Sequence, residues 1–158
     1  MLSRYEQFTS VISGIYRYIQ KIERDEMVKY GFKGSFAEYL IAIDRYEEGI
    51  TASALSEICE KDKAAISRVI AEMEAKELVY RETNGETRYR ARVHLTPKGK
   101  DAAEHIRSRA KLAVEIAGKE LDAETRAFFY STLGRIASNL QALSKEGLPE
   151  HAHPSDEA

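Results

Sequence analysis

Two helix-start signals and then an Asn-Gly pair follow one another in the middle of the chain, and their order restricts what it can fold into. Thr51 precedes the helix-forming run 52–60, and Asp62 precedes the run 63–76. Thr and Asp side chains at such positions accept the first unpaired N–H groups of a helix. Asn84-Gly85 then sits between two runs of alternating character. A type I′ turn needs positive φ at both central residues, which Asn and Gly tolerate. Thr96-Pro97 follows as N-cap and first residue of a helix reaching about Lys119. A short helix, a tight turn, a second helix and a basic hairpin form the plan of a winged helix-turn-helix.

Around this middle lie more helices. Ser35 to Glu38, "SFAE", has capping-box spacing and predicts a helix to about Tyr46, ended by Glu47-Glu48-Gly49. Asp122 caps the last helix. Near the N-terminus Tyr5, Phe8, Ile12, Ile15, Ile19 and Ile22 recur at spacings of 3, 4, 3, 4 and 3, the a/d seam of a coiled coil. Phe129, Leu133, Ile136, Leu140 and Leu143 repeat it near the other end, at 4, 3, 4 and 3. Such narrow seams pack on each other, on an internal core, or on a second copy of the chain. The expected fold is therefore mostly α with a small β-hairpin wing: a winged helix-turn-helix at 35–100, flanked by dimerisation helices at 1–31 and 101–146. The segment 147–158 holds both kinds of breaker and little apolar content, so disorder is expected there.

Charge is partitioned along the chain. Residues 61–100 carry ten Lys and Arg against six Asp and Glu, so that segment is +4 in a chain of net charge −2. A basic middle with acidic flanks suits an anionic partner for the middle alone. On the 63–76 helix, Ile66, Val69, Ile70 and Met73 fall within a stripe about 100° wide, the width of a core-facing side. The opposite side centres on Ala64, Arg68, Ala71 and Ala75, flanked by Ala65, Ser67 and Glu72, with Lys63 at its start. Small side chains around one arginine fit a helix lying deep in a major groove. There alanine methyls meet thymine methyls, and Arg68 reaches guanine O6 and N7 or a phosphate. The plainer alternative is that alanine favours helix.

A two-residue loop at Asn84-Gly85 would set Tyr80 opposite Tyr89 and Leu78 opposite Ala91 on one face. Arg81 would then oppose Arg88, and Val79 would oppose Arg90, on the other. This sorts tyrosines from arginines. It also sets two arginines face to face, a repulsion that a phosphate backbone would relieve. A longer loop over 83–87 is the competing arrangement, and a solvated edge that uses Arg to block aggregation is the bland one.

From Leu55 to Gly99 the chain resembles the multiple-antibiotic-resistance regulator (MarR) family of bacterial transcription factors. "LSEICEKDKAAISRVIAEMEAKELVYRE" and then "VHLTPKG" carry the likeness, with Leu55, Asp62, Ser67, Arg68, Glu74, Lys76, Leu78, Val79, Leu95, Thr96 and Gly99 in register. The resemblance implies a winged-helix homodimer with interlocked terminal helices. It also implies binding of double-stranded DNA at a pseudo-palindromic operator, usually in repression, and release by a small, often phenolic, effector. The expected DNA-binding residues are Lys63, Ala64, Ala65, Ser67, Arg68, Arg81, Arg88 and Arg90. The expected dimerisation residues are Tyr5, Phe8, Ile12, Ile15, Ile19, Phe129, Leu133, Ile136 and Leu140. Three features depart from the family pattern. Glu77 stands where glycine usually follows the recognition helix, so a turn other than αL is expected. Ala64 and Ala65 replace polar base-readers, so direct readout should be sparse. The wing's Asp-Arg-Arg falls on Thr87, Arg88 and Tyr89, which makes Arg88 the first choice for the minor groove and Arg90 the second.

Other chemistry finds little support in the sequence. Among nine tyrosines, Tyr16, Tyr39 and Tyr46 are candidate lining residues for an aromatic effector. Cys59, the one cysteine, cannot pair internally and reads as a buried thiol, with redox sensing as the lesser alternative. His94 and His105 lack metal-site spacing; His151 and His153 fall in the tail. No nucleophile motif or phosphate-binding glycine loop is present, so no catalytic residue, cofactor or metal is expected. No apolar run approaches a membrane span, and "MLSRYEQFTS" lacks the character of a secretory signal, so a cytoplasmic location is expected. A winged-helix module binding an acidic protein is the alternative function.

Overall fold

The computed structural model describes residues 3–82 and 90–151. Six helices and one small sheet run in the order α1 (Arg4–Lys29), α2 (Phe36–Asp44), β1 (Ile50–Thr51), α3 (Ala52–Ile58), α4 (Lys63–Ala75), β2 (Val79–Arg81), β3 (Arg92–Leu95), α5 (Pro97–Ala117) and α6 (Ala123–Glu146). This is the expected winged-helix class. Contacts divide the chain into two compact units, residues 10–112 and residues 1–9 with 113–158.

Most caps form where the sequence places them. Thr51 accepts from Ala54 N–H at 3.2 Å, Asp62 from Ala65 N–H at 2.8 Å, and Asp122 from Thr125 N–H at 2.7 Å. Thr96 Oγ1 accepts from Gly99 N–H at 3.0 Å, opening α5 at Pro97. The capping box expected at Ser35 does not form. Ser35 is itself helical in backbone (φ −62°, ψ −16°) and makes no side-chain cap bond. The chain has already turned before it, since Phe36 and Ala37 N–H groups donate to the Lys33 and Gly34 carbonyls. A capping box does exist at Ser3 and Glu6. Ser3 N–H donates to Glu6 Oε2 at 2.8 Å, and Glu6 N–H donates to Ser3 Oγ at 3.2 Å.

The core of the 10–112 unit gathers Met27 of α1, Phe36, Leu40 and Ile43 of α2, Leu55 of α3, Ile66, Ile70 and Met73 of α4, Leu78, Val93, and Ile106 of α5, all fully buried. Each such side chain contributes about 1.5–3 kcal/mol by leaving water. Met27 and Ile106 lie outside 35–100, so this winged-helix core is completed by the end of α1 and the first half of α5.

The sheet is antiparallel in the order β1-β3-β2. Val79 pairs with Leu95, Tyr80 with His94 and Arg81 with Val93, while Ile50 pairs with Val93 on the other side of β3. The expected pairings of Tyr80 with Tyr89, Leu78 with Ala91, Arg81 with Arg88 and Val79 with Arg90 are therefore overturned. An odd shift of register exchanges the faces of one strand against the other. It sets Val79 beside Val93 and Leu95, which burial favours, and Ile50 completes that apolar row. The Asn84-Gly85 turn lies outside the described residues.

Two helix ends use the left-handed conformation without glycine. Glu60 and Glu77 have φ of +51° and +59°. After α4, Leu78 N–H donates to Met73 O at 2.9 Å and Glu77 N–H to Glu74 O at 2.9 Å, the paired bonds of a Schellman motif. The expectation that Glu77 would force a different turn is overturned: the residue adopts the αL geometry. Steric crowding of a side chain there costs about 1–2 kcal/mol. Glu77→Gly should therefore raise stability by about 0.5–1 kcal/mol, net of glycine's larger unfolded-state entropy, seen as a higher denaturation midpoint. Gly99→Ala should act oppositely. A Cβ at Gly99 would lie 2.0 Å from the Leu78 carbonyl oxygen. Overpacking against backbone predicts a loss of about 1–3 kcal/mol or more by the same measurement.

Candidate nucleic-acid interface

The turn between α3 and α4 is closed by Lys61 N–H donating to Ser56 O at 3.1 Å and by Ser56 Oγ–H donating to Lys61 O at 2.5 Å. Glu60 supplies the positive φ that this tight reversal needs. Asp62 then restarts the helix at once. α4 thus begins at a defined angle to α3, with Ile66, Ile70 and Met73 in the core and Val69 packed against it.

The opposite side of α4 meets solvent. Lys63, Ala64, Arg68, Ala71, Glu72 and Ala75 are exposed, and Ala65 and Ser67 are half-buried at its edge. Arg68 makes no ion pair or hydrogen bond among the described residues. Glu72, which would repel a phosphate, is held by Lys33 Nζ at 2.5 Å.

The wing strands distribute their cations unevenly. Arg81 does not stand on an outer face. It is 12% exposed, and its Nε donates to both Glu74 carboxylate oxygens at 3.2 Å, tying β2 to α4. Its side of β2 is the side facing the core, as the observed register dictates. Arg92 donates to the Glu48 and Gly49 carbonyls at 3.2 and 3.1 Å and so braces the turn before β1. On the outer face Tyr80 stacks on His94 with ring centroids 5.2 Å apart, and His94 Nε2 lies 3.0 Å from Glu82 Oε2. Arg90 is exposed at the end of the wing. Arg88 lies outside the described residues. Of the expected set, the structure groups Lys63, Ala64, Ala65, Ser67 and Arg68 on one helix and sets Arg81 apart from them. Lys33 was not singled out from the sequence, because its partner is 39 residues away.

The three tyrosines considered for an effector do not converge. Tyr39 is buried in the core, whereas Tyr16 and Tyr46 are exposed. A cavity of about 30 Å³ lies instead among Gln20, Glu23, Arg24, Gly34, Ser35, Ala37 and Glu38. That is room for about one water molecule. Burial raises the Glu23 carboxyl above its ordinary range, with the Glu38 charge adding to the shift. Among the described residues no group of three or more His, Cys, Asp or Glu could hold a metal ion, and no helix is long and apolar enough to cross a membrane.

Residues 30–88, spanning α2 to the wing, match the model of the MarR family. That match covers a little over a third of the chain. The fold is also that of solved MarR structures. A MarR transcriptional regulator from Methanosarcina mazei Go1 is 26% identical, with a TM-score of 0.70 over 87% of this chain and 99% of that one. A MarR-family regulator from Listeria monocytogenes, complexed with a 26mer DNA, superposes at 0.68 with 20% identity, covering 91% and 97% of the two chains. A Staphylococcus aureus MarR in complex with salicylate and kanamycin superposes at 0.73 with 18% identity, covering 87% and 93%. No curated protein matches the sequence.

Cys59 is buried, and desolvation pushes its thiol up to about 11, with the Glu38 charge adding to the effect. The thiolate is the reactive form. Cys59 should therefore react with a disulfide reagent at pH 8 far more slowly in the folded protein than in denaturant. Equal rates would show that the site opens.

Proposed function

We propose that this protein is a sequence-specific transcriptional regulator that binds double-stranded DNA as a homodimer, most simply as a repressor at a pseudo-palindromic operator. The observation that carries this reading is the outer face of α4. It offers Ala64, Ala71 and Ala75 around Arg68, which has no partner among the described residues, on a helix whose other side is locked into the core by Ile66, Ile70 and Met73. Small side chains let backbone and base edges approach, and arginine supplies the bidentate donor. Lys63 and Ser67 would hold phosphates, and Arg88 or Arg90 would enter the flanking minor groove.

Pairing of two copies is supported by the uncovered seams. Tyr5 is 74% exposed, Phe129 44% and Leu140 51%, and α6 has no buried residue. Large apolar side chains left exposed at a/d spacing along a helix suit an interaction face. With a two-fold axis, half-sites would lie about 10 base pairs apart. A small aromatic effector is part of the proposal, on the strength of the salicylate complex of the Staphylococcus aureus relative. The 30 Å³ cavity is too small for it, and the proposed effector site is the place where two copies meet.

A gel shift with the DNA upstream of its own gene, at physiological salt, tests the reading; indifference among duplexes would favour an acidic protein partner instead. Arg68→Ala should lower affinity and, by about 1–3 kcal/mol, the preference for the operator over other DNA. Arg88→Ala should weaken all duplexes alike and reduce the salt slope by about 1. An unchanged slope would remove Arg88 from the interface.

A further inference from the structure

Glu72 stands one turn C-terminal to Arg68 on α4. Residues four apart on a helix are neighbours, and opposite charges there attract. Left to themselves, the Glu72 carboxylate and the Arg68 guanidinium would form a pair. A guanidinium held in that way loses the donor geometry that a guanine edge or a phosphate needs. The structure has another arrangement. Lys33, in the segment between α1 and α2, bonds Glu72 Oε2 at 2.5 Å. The same ammonium lies 6.0 Å from the centroid of Phe36, a ring that is itself buried at the start of α2. One ammonium thus makes both contacts, and Arg68 stays unpaired among the described residues.

We infer that Lys33 is a positioning residue for the interface: by binding Glu72 it keeps Arg68 available and cancels a negative charge on the DNA-facing side of α4. The inference rests on the DNA-binding reading and adds a residue to it that touches no base. It also gives Glu72 a place in an otherwise small and basic surface. An exposed ion pair is weak, so the effects should be modest and are best read as a coupling between two positions.

The test uses the full chain and a duplex selected by the wild-type protein from a random pool. Lys33→Ala should bind that duplex about three- to fivefold more weakly and discriminate less well against a scrambled one. Glu72→Ala should bind at least as well as wild type. The double variant should bind within about twofold of Glu72→Ala. Equal binding by Lys33→Ala and wild type would overturn the inference. So would the same loss in both backgrounds with a salt slope reduced by about 1, which would make Lys33 a direct phosphate contact. A readout without DNA separates the inference from the reading beneath it. The Arg68 Nε–H resonance should move in Lys33→Ala, whereas Glu72→Ala and the double variant should share one position. An unmoved resonance in Lys33→Ala overturns the inference even if DNA binds, and a wild-type protein that enriches no duplex overturns the DNA-binding reading itself.

Discussion

Leu78 is the point on which the arrangement of recognition helix and wing depends. It is one residue past the end of the αL turn, fully buried, and both of its backbone polar groups are engaged. Its N–H closes α4 onto Met73 O, and its carbonyl accepts Thr96 N–H at 3.0 Å while lying against Gly99. Thr96 Oγ1–H donates to Glu77 O at 2.6 Å, and Lys98 Nζ donates to Lys76 O at 2.9 Å. The carbonyls of Lys76, Glu77 and Leu78, just past the end of α4, are thereby bonded by Thr96 and Lys98 at the start of α5. This gives "LTPKG" a physical content: threonine caps and donates, proline starts the helix, lysine reaches back, and glycine leaves room for the Leu78 carbonyl. The junction between α4 and β2 is thereby fixed at its base.

The parts of the fold legible in the sequence were those decided locally. Thr51, Asp62, Thr96 and Asp122 cap helices because each side chain acts within three residues of itself. The buried stripe of α4 followed from helical period alone. The strand register was misjudged because a turn signal was allowed to set it. Pairing is decided instead by burial of Val79, Val93 and Leu95, and by β1, whose two residues gave no pattern to detect. Ser35 failed as a cap for a related reason: the turn ahead of it had already satisfied the donors that the box would have served.

The site was legible in outline and less so in its charges. The charge of 61–100 marks a basic segment but does not distinguish its arginines from one another. Three dimensions separate them. Arg81 serves Glu74, and Arg92, itself exposed, serves the carbonyls before β1, whereas Arg68 is exposed with no partner among the described residues. Which arginine pairs inward depends on the face it occupies, and the face depends on the register that the sequence did not disclose.

The acids of the same segment complete the picture. Glu72 is held by Lys33, Glu74 by Arg81, Glu82 lies against His94, and the Asp62 carboxylate is bonded to a helix N-terminus. With Glu77 Oε2 3.8 Å from Lys98 Nζ, five of the six carboxylates that dilute the segment's charge are engaged locally, and Lys33, from outside the segment, compensates one of them. Formal net charge then understates how basic the exposed side of α4 is, since an engaged carboxylate repels an approaching anion less than a solitary one. The −2 of the whole chain and a cationic surface on one helix are compatible because the negative charge near that helix is paired, while the Arg68 guanidinium has no partner among the described residues.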